Sequence, residues 1–516
     1  MGLRHALLAG FSLVALAASA TAQTPQTLPS ASSAPSVSRP PAASARPPAT
    51  KAQGAPKAKA TPSSTAAQQG VPHTLIEAMA ATYSNQPALQ AERAKLRATD
   101  ENVPAALAGW RASVVMAGQV GYGNNLTREY LVTVSPPENV KVLAPRQIAT
   151  AQATITQPIY TGGKVEANVN RSKNQVMAER ATLIAQEQQS FNNTVSAYVG
   201  VIQAKELLDL QINNEQVLAK QLEATNDRFR VGEITRTDVA QAEAALEGAR
   251  ATRETAVGNL LTANSTFQQI IGVFPPDDLV EPQPLNLPVK SEQEAASMAT
   301  ANNPTVITAL YNDAAAKDSI DVAFSALLPQ LSLQGQAFQQ NNASSRSLST
   351  NGYQVVAQLS VPLYQGGSEY AAVRQARQAQ QQTQRLIDDA KRTAVQNAVQ
   401  AWDTLVAAKA SADSTRAQIR ANEIALEGTE REAIVGSRTT LDVLNATQLL
   451  LQSRTTLVQN LAQVITASYG VAVAIGRLTA RDMHLPVPLY DETAYYQAVK
   501  DRWVGLGDYA TDQPGR

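Results

Sequence analysis

Two apolar periods run through this chain. Around 113–122, 149–156, 330–338 and 353–363, apolar residues alternate with uncharged polar ones, the period of a strand. In 330–338, Leu331, Leu333, Gly335 and Ala337 oppose Gln330, Ser332, Gln334 and Gln336. In 353–363, Tyr353, Val355, Ala357, Leu359, Val361 and Leu363 alternate with Gln354, Gln358 and Ser360. The earlier pair is less regular: Val114, Met116, Val120 and Tyr122 against Ser113, Ala117 and Gln119, then Ala149, Ala151, Ala153 and Ile155 against Thr150, Gln152, Thr154 and Thr156. The polar connections 124–147 and 339–351 are expected to be exposed loops. Elsewhere the period is helical: Leu386, Ala390, Ala394, Ala398, Trp402 and Leu405 fall on one face. No proline interrupts Gly162 to Phe229 or Gly366 to Ala433. Each run predicts a helix of about 68 residues, roughly 100 Å long. A rod of that length needs coiled-coil neighbours.

These elements come twice. Gln157-Pro158-Ile159-Tyr160-Thr161-Gly162-Gly163 matches Val361-Pro362-Leu363-Tyr364-Gln365-Gly366-Gly367 at an offset of 204. Val231-Gly232 followed by Thr237-Asp238 matches Val435-Gly436 followed by Leu441-Asp442 at the same offset of 204. No net insertion separates the two motifs, as expected of long packed helices. Each copy predicts a helical stretch (73–109; 291–328) broken at Gln86-Pro87 or Asn303-Pro304, two strands, a very long helix and a second long helix. The Gly-Gly pairs permit a sharp turn from strand to helix. A return path of Thr235 to Gly272 plus a helix from Pro87 to Ala108 spans roughly 90 Å, close to the length of its antiparallel partner. The expected units are a first repeat at 73–272, a linker at 273–290, a second repeat at 291–478 and a C-terminal tail at 479–516.

Composition narrows the picture. Aromatic residues make up 5% and charged residues 17%, with abundant Ala, which suits thin, closely packed helices better than a thick core. There are 43 basic and 43 acidic residues, so nothing suggests a nucleic-acid partner. The chain has no cysteine, which excludes disulfides, thiolate metal sites and a cysteine nucleophile. Arg4 and His5, the apolar stretch Leu7 to Ala18 and Ala20-Thr21-Ala22 read as a secretory signal over 1–22. The Pro/Ala/Ser-rich segment 23–72 reads as a disordered tether. No later run of ~18 uninterrupted apolar residues follows, so membrane insertion would require a β-barrel. Polar residues on one strand face and apolar ones on the other suit a barrel with a wet lumen.

Pro362 to Gly367, Val435-Gly436 and Arg438-Thr-Thr-Leu-Asp-Val-Leu-Asn-Ala446 closely resemble the TolC-type outer-membrane factors, the outer membrane efflux protein family. The resemblance covers 73 to about 480, on both repeats. It implies a mainly helical homotrimer with a twelve-stranded barrel in outer-membrane lipid of a Gram-negative bacterium and a helical barrel in the periplasm. It implies a passive exit duct with no catalytic activity and no cofactor. Such a duct receives drugs, small molecules or proteins from an inner-membrane ABC or proton-driven transporter through a periplasmic adaptor. It places the hairpin tips at the periplasmic end, with Val231, Gly232, Val435 and Gly436 in the turns that meet the adaptor.

Thr235-x-x-Asp238 and Thr439-x-x-Asp442 read as helix caps. In a trimer, Asp442 would also recur as a ring of carboxylates favouring cations. The family carries a second Asp one turn on, where this chain has Asn445, so weaker cation block is expected. The resemblance gives Arg438 the role of linking neighbouring hairpins through positions matching Thr237 and Asp238. An aromatic that some members have at the place of Ala433 is missing. His5, His73 and His484 are scattered, and no catalytic or metal constellation appears. Two rival readings remain. A periplasmic adaptor would carry lipoyl-like β-modules, and a structural envelope coiled coil would lack alternating strands.

Overall fold

The computed structural model describes residues 71–131, 138–343 and 347–507. The signal segment 1–22 and nearly all of the tether 23–72 lie outside the described residues.

The chain order is α1 (Leu75–Asn85), α2 (Pro87–Asp100), α3 (Asn102–Leu107), β1 (Ser113–Leu131), β2 (Glu138–Tyr160), α4 (Lys164–Arg230) and α5 (Arg236–Ile271). The second copy follows: α6 (Glu292–Asn302), α7 (Pro304–Phe324), β3 (Gln330–Asn341), β4 (Ser349–Ser360), α8 (Ser368–Ile434) and α9 (Thr440–Ala474), then α10 (Ala494–Val499). The two long helices have 67 residues each and begin 204 positions apart, at Lys164 and Ser368. Upstream the offset changes. Leu75 and Glu292, Pro87 and Pro304, and Ser113 and Gln330 each stand 217 apart. The first copy therefore carries its extra residues in the β1–β2 hairpin.

That hairpin differs from the expected loop. β1 runs to Leu131 and β2 starts at Glu138, so strands of 19 and 23 residues take up most of the expected loop 124–147. Backbone pairing needs only extended residues, so the ladder continues beyond the last apolar–polar alternation. At 339–351, β3 and β4 reach Asn341 and Ser349 in the same way. Residues 132–137 and 344–346 lie outside the described residues. A second correction is that β4 stops at Ser360, so Val361 and Leu363 are not strand residues. Pro362 has no N–H with which to extend a ladder. Its counterpart Pro158 stays inside β2 because the register slips between Pro158 and Tyr160, and a bulge tolerates proline.

Both proline breaks form as expected. Gln86 and Asn303 are extended, and Pro87 and Pro304 open the next helices. The return helix expected from Pro87 to Ala108 is broken at Glu101. Pro104 cannot donate to the Asp100 carbonyl. The corresponding residue of α7 is Asp321, and α7 is unbroken for 21 residues.

The four strands form one antiparallel sheet in the order β1-β2-β3-β4. Its register sorts chemistry by face. Val114–Ile155–Gly335–Val355 and Met116–Ala153–Ala337–Tyr353 are apolar cross-strand rows. Val115–Thr154–Gln336–Gln354 and Gln119–Thr150–Gln340–Thr350 form rows on the opposite, mostly polar face. There the Gln354 side-chain amide donates to Gln336 Oε1 at 2.6 Å. Four large apolar residues, Val115, Ile148, Phe338 and Val356, also stand on this face, the Phe338 ring covering Gly352.

α4 packs antiparallel to α5, and α8 to α9. Asn422 donates to Ser453 Oγ and Asn460 to Thr415 Oγ1, each at 3.0 Å, across the α8–α9 seam. The cores around α8 are built largely from alanine: Ala295, Ala299, Ala394, Ala398, Ala408, Ala412 and Ala474 are all buried. Of the expected α8 stripe, Ala394, Ala398 and Leu405 are buried, whereas Leu386 is 51% exposed. α9 is long and apolar enough by composition to cross a membrane, yet much of it is buried, against α8 and α4.

The largest core forms where α1, α2, mid-α4, the end of α5 and the end of α9 meet. Tyr83 stacks on Phe191, and Tyr198 packs against Phe267, both with ring centroids 6.2 Å apart. The Tyr198 hydroxyl lies 2.7 and 2.8 Å from the His73 and Val280 carbonyls, tying the linker to the first helix. His73 is not isolated, since its Nδ1 is 2.9 Å from Asp278. The stretch after Leu478 closes this core: Ala480 and Leu485 are buried, and the Tyr490 N–H donates to the Tyr83 hydroxyl.

Candidate functional site

The two hairpin tips are near-copies built from three devices. Each long helix ends in a Schellman turn. The Gly232 N–H donates to Phe229 and the Glu233 N–H to Arg228; in the second copy Gly436 donates to Ala433 and Ser437 to Glu432. This geometry needs positive φ, and Gly232 and Gly436 adopt +81° and +80°. Glycine reaches that region without steric cost. Val231 and Val435 cap the ends and stand 78% and 79% exposed.

The following helix opens with a capping box. Asp238 Oδ2 accepts from the Thr235 hydroxyl at 2.7 Å and its backbone N–H at 2.9 Å. Asp442 Oδ2 accepts from the Thr439 N–H at 3.0 Å and its hydroxyl at 2.8 Å. The Thr439 backbone and hydroxyl hold the Asp442 carboxyl below the usual aspartate range, with a smaller push from Arg438. The Thr235 hydroxyl and backbone do the same to Asp238. Both aspartates are therefore anionic throughout the neutral range. Asn445 stands exposed one turn beyond Asp442 on α9, and Thr237 is exposed at the start of α5.

The third device is an ion pair across each turn, with its polarity reversed between copies. Arg228 pairs with Glu233 at 2.7 Å in the first. Glu432, the residue 204 positions after Arg228, pairs with Arg438 at 2.9 Å in the second. Arg438 thus fastens its own turn; one chain does not bring it to Thr237 or Asp238. The contact that joins the two hairpins is Arg228, whose guanidinium also donates to the Ala433 carbonyl at 3.0 Å. Leu444 of α9 adds an apolar contact by packing on Leu218, Leu246 and Ala249 of the first hairpin. Sequence reading passed over Arg228. Its signal was the charge swap with Glu432 at the repeat offset.

At the other end of the long helices, Gly162, Gly163, Gly366 and Gly367 all have positive φ. Gly163 and Gly367 are the N-cap residues of α4 and α8. A Cβ on Gly162 would sit 2.8 Å from Leu328 Cβ, so the strand-to-helix turn packs against the residues leading into β3. The equivalent Gly366 meets nothing within 4 Å in a single chain. Among the described residues, no group of three or more His, Cys, Asp or Glu could hold a metal ion.

Comparison with known proteins identifies the family and the fold. The family model described as outer membrane efflux protein matches residues 80–273 and 295–477. Outer membrane efflux protein BepC of Brucella suis is 32% identical over 440 residues, covering 85% of this chain and 93% of that protein. Outer membrane protein TolC of Escherichia coli is 25% identical over 393 residues, covering 71% and 78%. Among solved structures, CusC superposes with a TM-score of 0.68 at 16% identity, covering 78% of this chain and 91% of that one. VceC of Vibrio cholerae gives 0.65 at 17% identity, covering 78% and 96%.

Proposed function

The chain belongs to the outer membrane efflux protein family and resides in the outer membrane, and from that footing we propose that three copies assemble into a passive exit duct. Cargo enters at the hairpin tips from an inner-membrane ABC or proton-driven transporter, handed over through a periplasmic adaptor that grips Val231, Gly232, Val435 and Gly436. Asp442 lines the periplasmic mouth, with Asn445 one turn further in. Drugs, small molecules and proteins are all candidate cargo. One relative, of Pseudomonas aeruginosa, is named alkaline protease secretion protein AprF.

The observation that carries this reading is a two-faced sheet, apolar on one side and mostly polar on the other, whose edges β1 and β4 are open. Open edges do not persist in lipid, so β4 must pair with β1 of a neighbour. The β2–β3 pairing inside one chain supplies the template for that junction. Carrying Ala153 forward by 204 and Ala337 back by 217 sets Ala357 opposite Val120 of the partner subunit, and Leu359 opposite Gly118 of the partner subunit. All four residues belong to the apolar face. The same operation brings Gly366 against the approach to the partner's β1, as Gly162 meets Leu328. Two copies would give eight strands, a barrel filled by its own side chains, so three is the smallest number that leaves a channel.

Because the chain has no cysteine, Val120→Cys with Ala357→Cys tests the ring directly. Facing strand positions are within disulfide reach. Mild oxidation in membranes is expected to give a covalent trimer, and neither single variant should cross-link. Cross-linking of Val120→Cys with Gln358→Cys instead would refute the register.

A further inference from the structure

Beyond the duct, the structure points to a second lipid contact outside the barrel wall. We propose that the loop Arg502–Gly507 is a membrane anchor that inserts Trp503, Val504 and Leu506 into the periplasm-facing phospholipid leaflet, at the rim where the strands begin.

The loop is built around one side chain. Arg502 Nη1 donates to the Gly507 carbonyl at 2.6 Å, so the guanidinium closes the loop on itself. Gly505 makes room for that closure: its φ is +116°, and a Cβ there would lie 2.9 Å from Arg502 Nη2. With the arginine turned inward, the three apolar side chains are displayed outward, 70%, 86% and 105% exposed for Trp503, Val504 and Leu506. The residues before it are packed differently. Tyr490 bonds Tyr83, the Tyr495 hydroxyl donates to Glu101, and Val499 is buried. The tail is thus fastened to the helices up to Val499 and then presents an apolar tip.

The position of that tip is fixed by Arg111, two residues before β1 begins at Ser113. Arg111 Nη1 donates to the Arg502 carbonyl at 2.7 Å, and its guanidinium lies 4.8 Å from the centre of the Trp503 ring. Trp110, also partly exposed, is held on the same short segment, its carbonyl accepting from the Gln157 amide at 2.8 Å. The loop is therefore held at the start of β1, by a residue three along the chain from Val114, the first residue of the apolar face. Tryptophan concentrates at membrane–water interfaces, where a ring can be half immersed. Arg111 beside it suits a phosphate headgroup. A bilayer surface meets both demands at once.

The proposal rests on the sheet being in lipid, and the test separates the two claims. Val504→Cys and, on the barrel, Val120→Cys are each labelled with an environment-sensitive fluorophore and reconstituted in phospholipid vesicles. Nitroxide-bearing lipids and aqueous iodide are then compared as quenchers. The expected result is loss of emission at both sites by nitroxide lipid, with Val504→Cys quenched most by a shallow nitroxide and Val120→Cys by a deeper one. Quenching at Val120→Cys alone would overturn the anchor and leave the barrel standing. Iodide would then report whether position 504 faces water, and protection from both quenchers would mean that a neighbouring subunit covers it. No quenching at either site would remove the barrel and the anchor together.

Discussion

The Arg228 guanidinium donates to the Ala433 carbonyl at 3.0 Å while held by Glu233 at 2.7 Å, so a side chain of the first hairpin grips the backbone end of the second. An ion pair this close to solvent is worth under about 1 kcal/mol per copy, but in the proposed trimer the contact would recur three times. Arg228→Ala should increase passive entry of large antibiotics into cells that depend on this duct. Arg438→Ala should do so less, because Arg438 fastens only its own turn. A larger leak from Arg438→Ala would assign the closing contact to Arg438 after all.

The strand-to-helix turn offers a comparison within one pair of glycines. Gly162 and Gly163 have φ of +64° and +79°, but only Gly162 is in close contact, 2.8 Å from Leu328 Cβ at the position a Cβ would take. Alanine at either position strains the backbone by about 1–2 kcal/mol. Gly162→Ala adds a collision that the neighbour must relieve. Thermal unfolding should rank Gly162→Ala well below Gly163→Ala, and matched melting temperatures would show that the contact relaxes freely.

Asp100 gives the helical region a pH dependence. It is buried where α2 breaks, neither carboxylate oxygen has a hydrogen-bond partner, and burial pushes its pKa up to about 6, with Glu101 and Glu492 adding to the rise and Arg180 opposing it. The folded form binds the proton more tightly than the unfolded chain. Its contribution is therefore complete below the ordinary aspartate range and is lost as pH rises through about 6. Asp100→Asn should leave the melting temperature unchanged near pH 4 and raise it above pH 6, by the equivalent of about 1–3 kcal/mol. A benefit that does not vary with pH would mean that Asp100 is ionised in the fold at every pH tested.

Much of this architecture is legible in the residues. The 204-residue offset, the two proline breaks, the Gly-Gly turns and the Thr-x-x-Asp caps depend on local chemistry, and each forms where the sequence places it. Three features were missed from the sequence, two of them because their causes are not local. The length of the β1–β2 hairpin depends on backbone pairing that continues after the apolar alternation has ended. The break at Glu101 follows from Pro104, whose missing N–H acts on a carbonyl four residues earlier. Arg228 looks like an ordinary helix-end charge until folding sets it beside Ala433. The tail has no counterpart in either repeat, so only its packing on Tyr83, Glu101 and Arg111 shows that it belongs to the folded body.

The central claim is a passive duct with an acidic periplasmic mouth, and single-channel conductance in a planar bilayer tests it most directly. The full-length protein, Asp442→Asn and Asn445→Asp would be recorded with a multivalent cation added from the periplasmic side. The account predicts a small, cation-selective conductance in all three. Block should be modest in the natural protein, absent in Asp442→Asn and stronger in Asn445→Asp. Because Asp442 is held below the usual aspartate range, block should persist unchanged from pH 8 down to about 5. Conductance with identical block in all three proteins would reduce Asp442 to a helix cap, and no conductance from correctly inserted protein would contradict the duct itself.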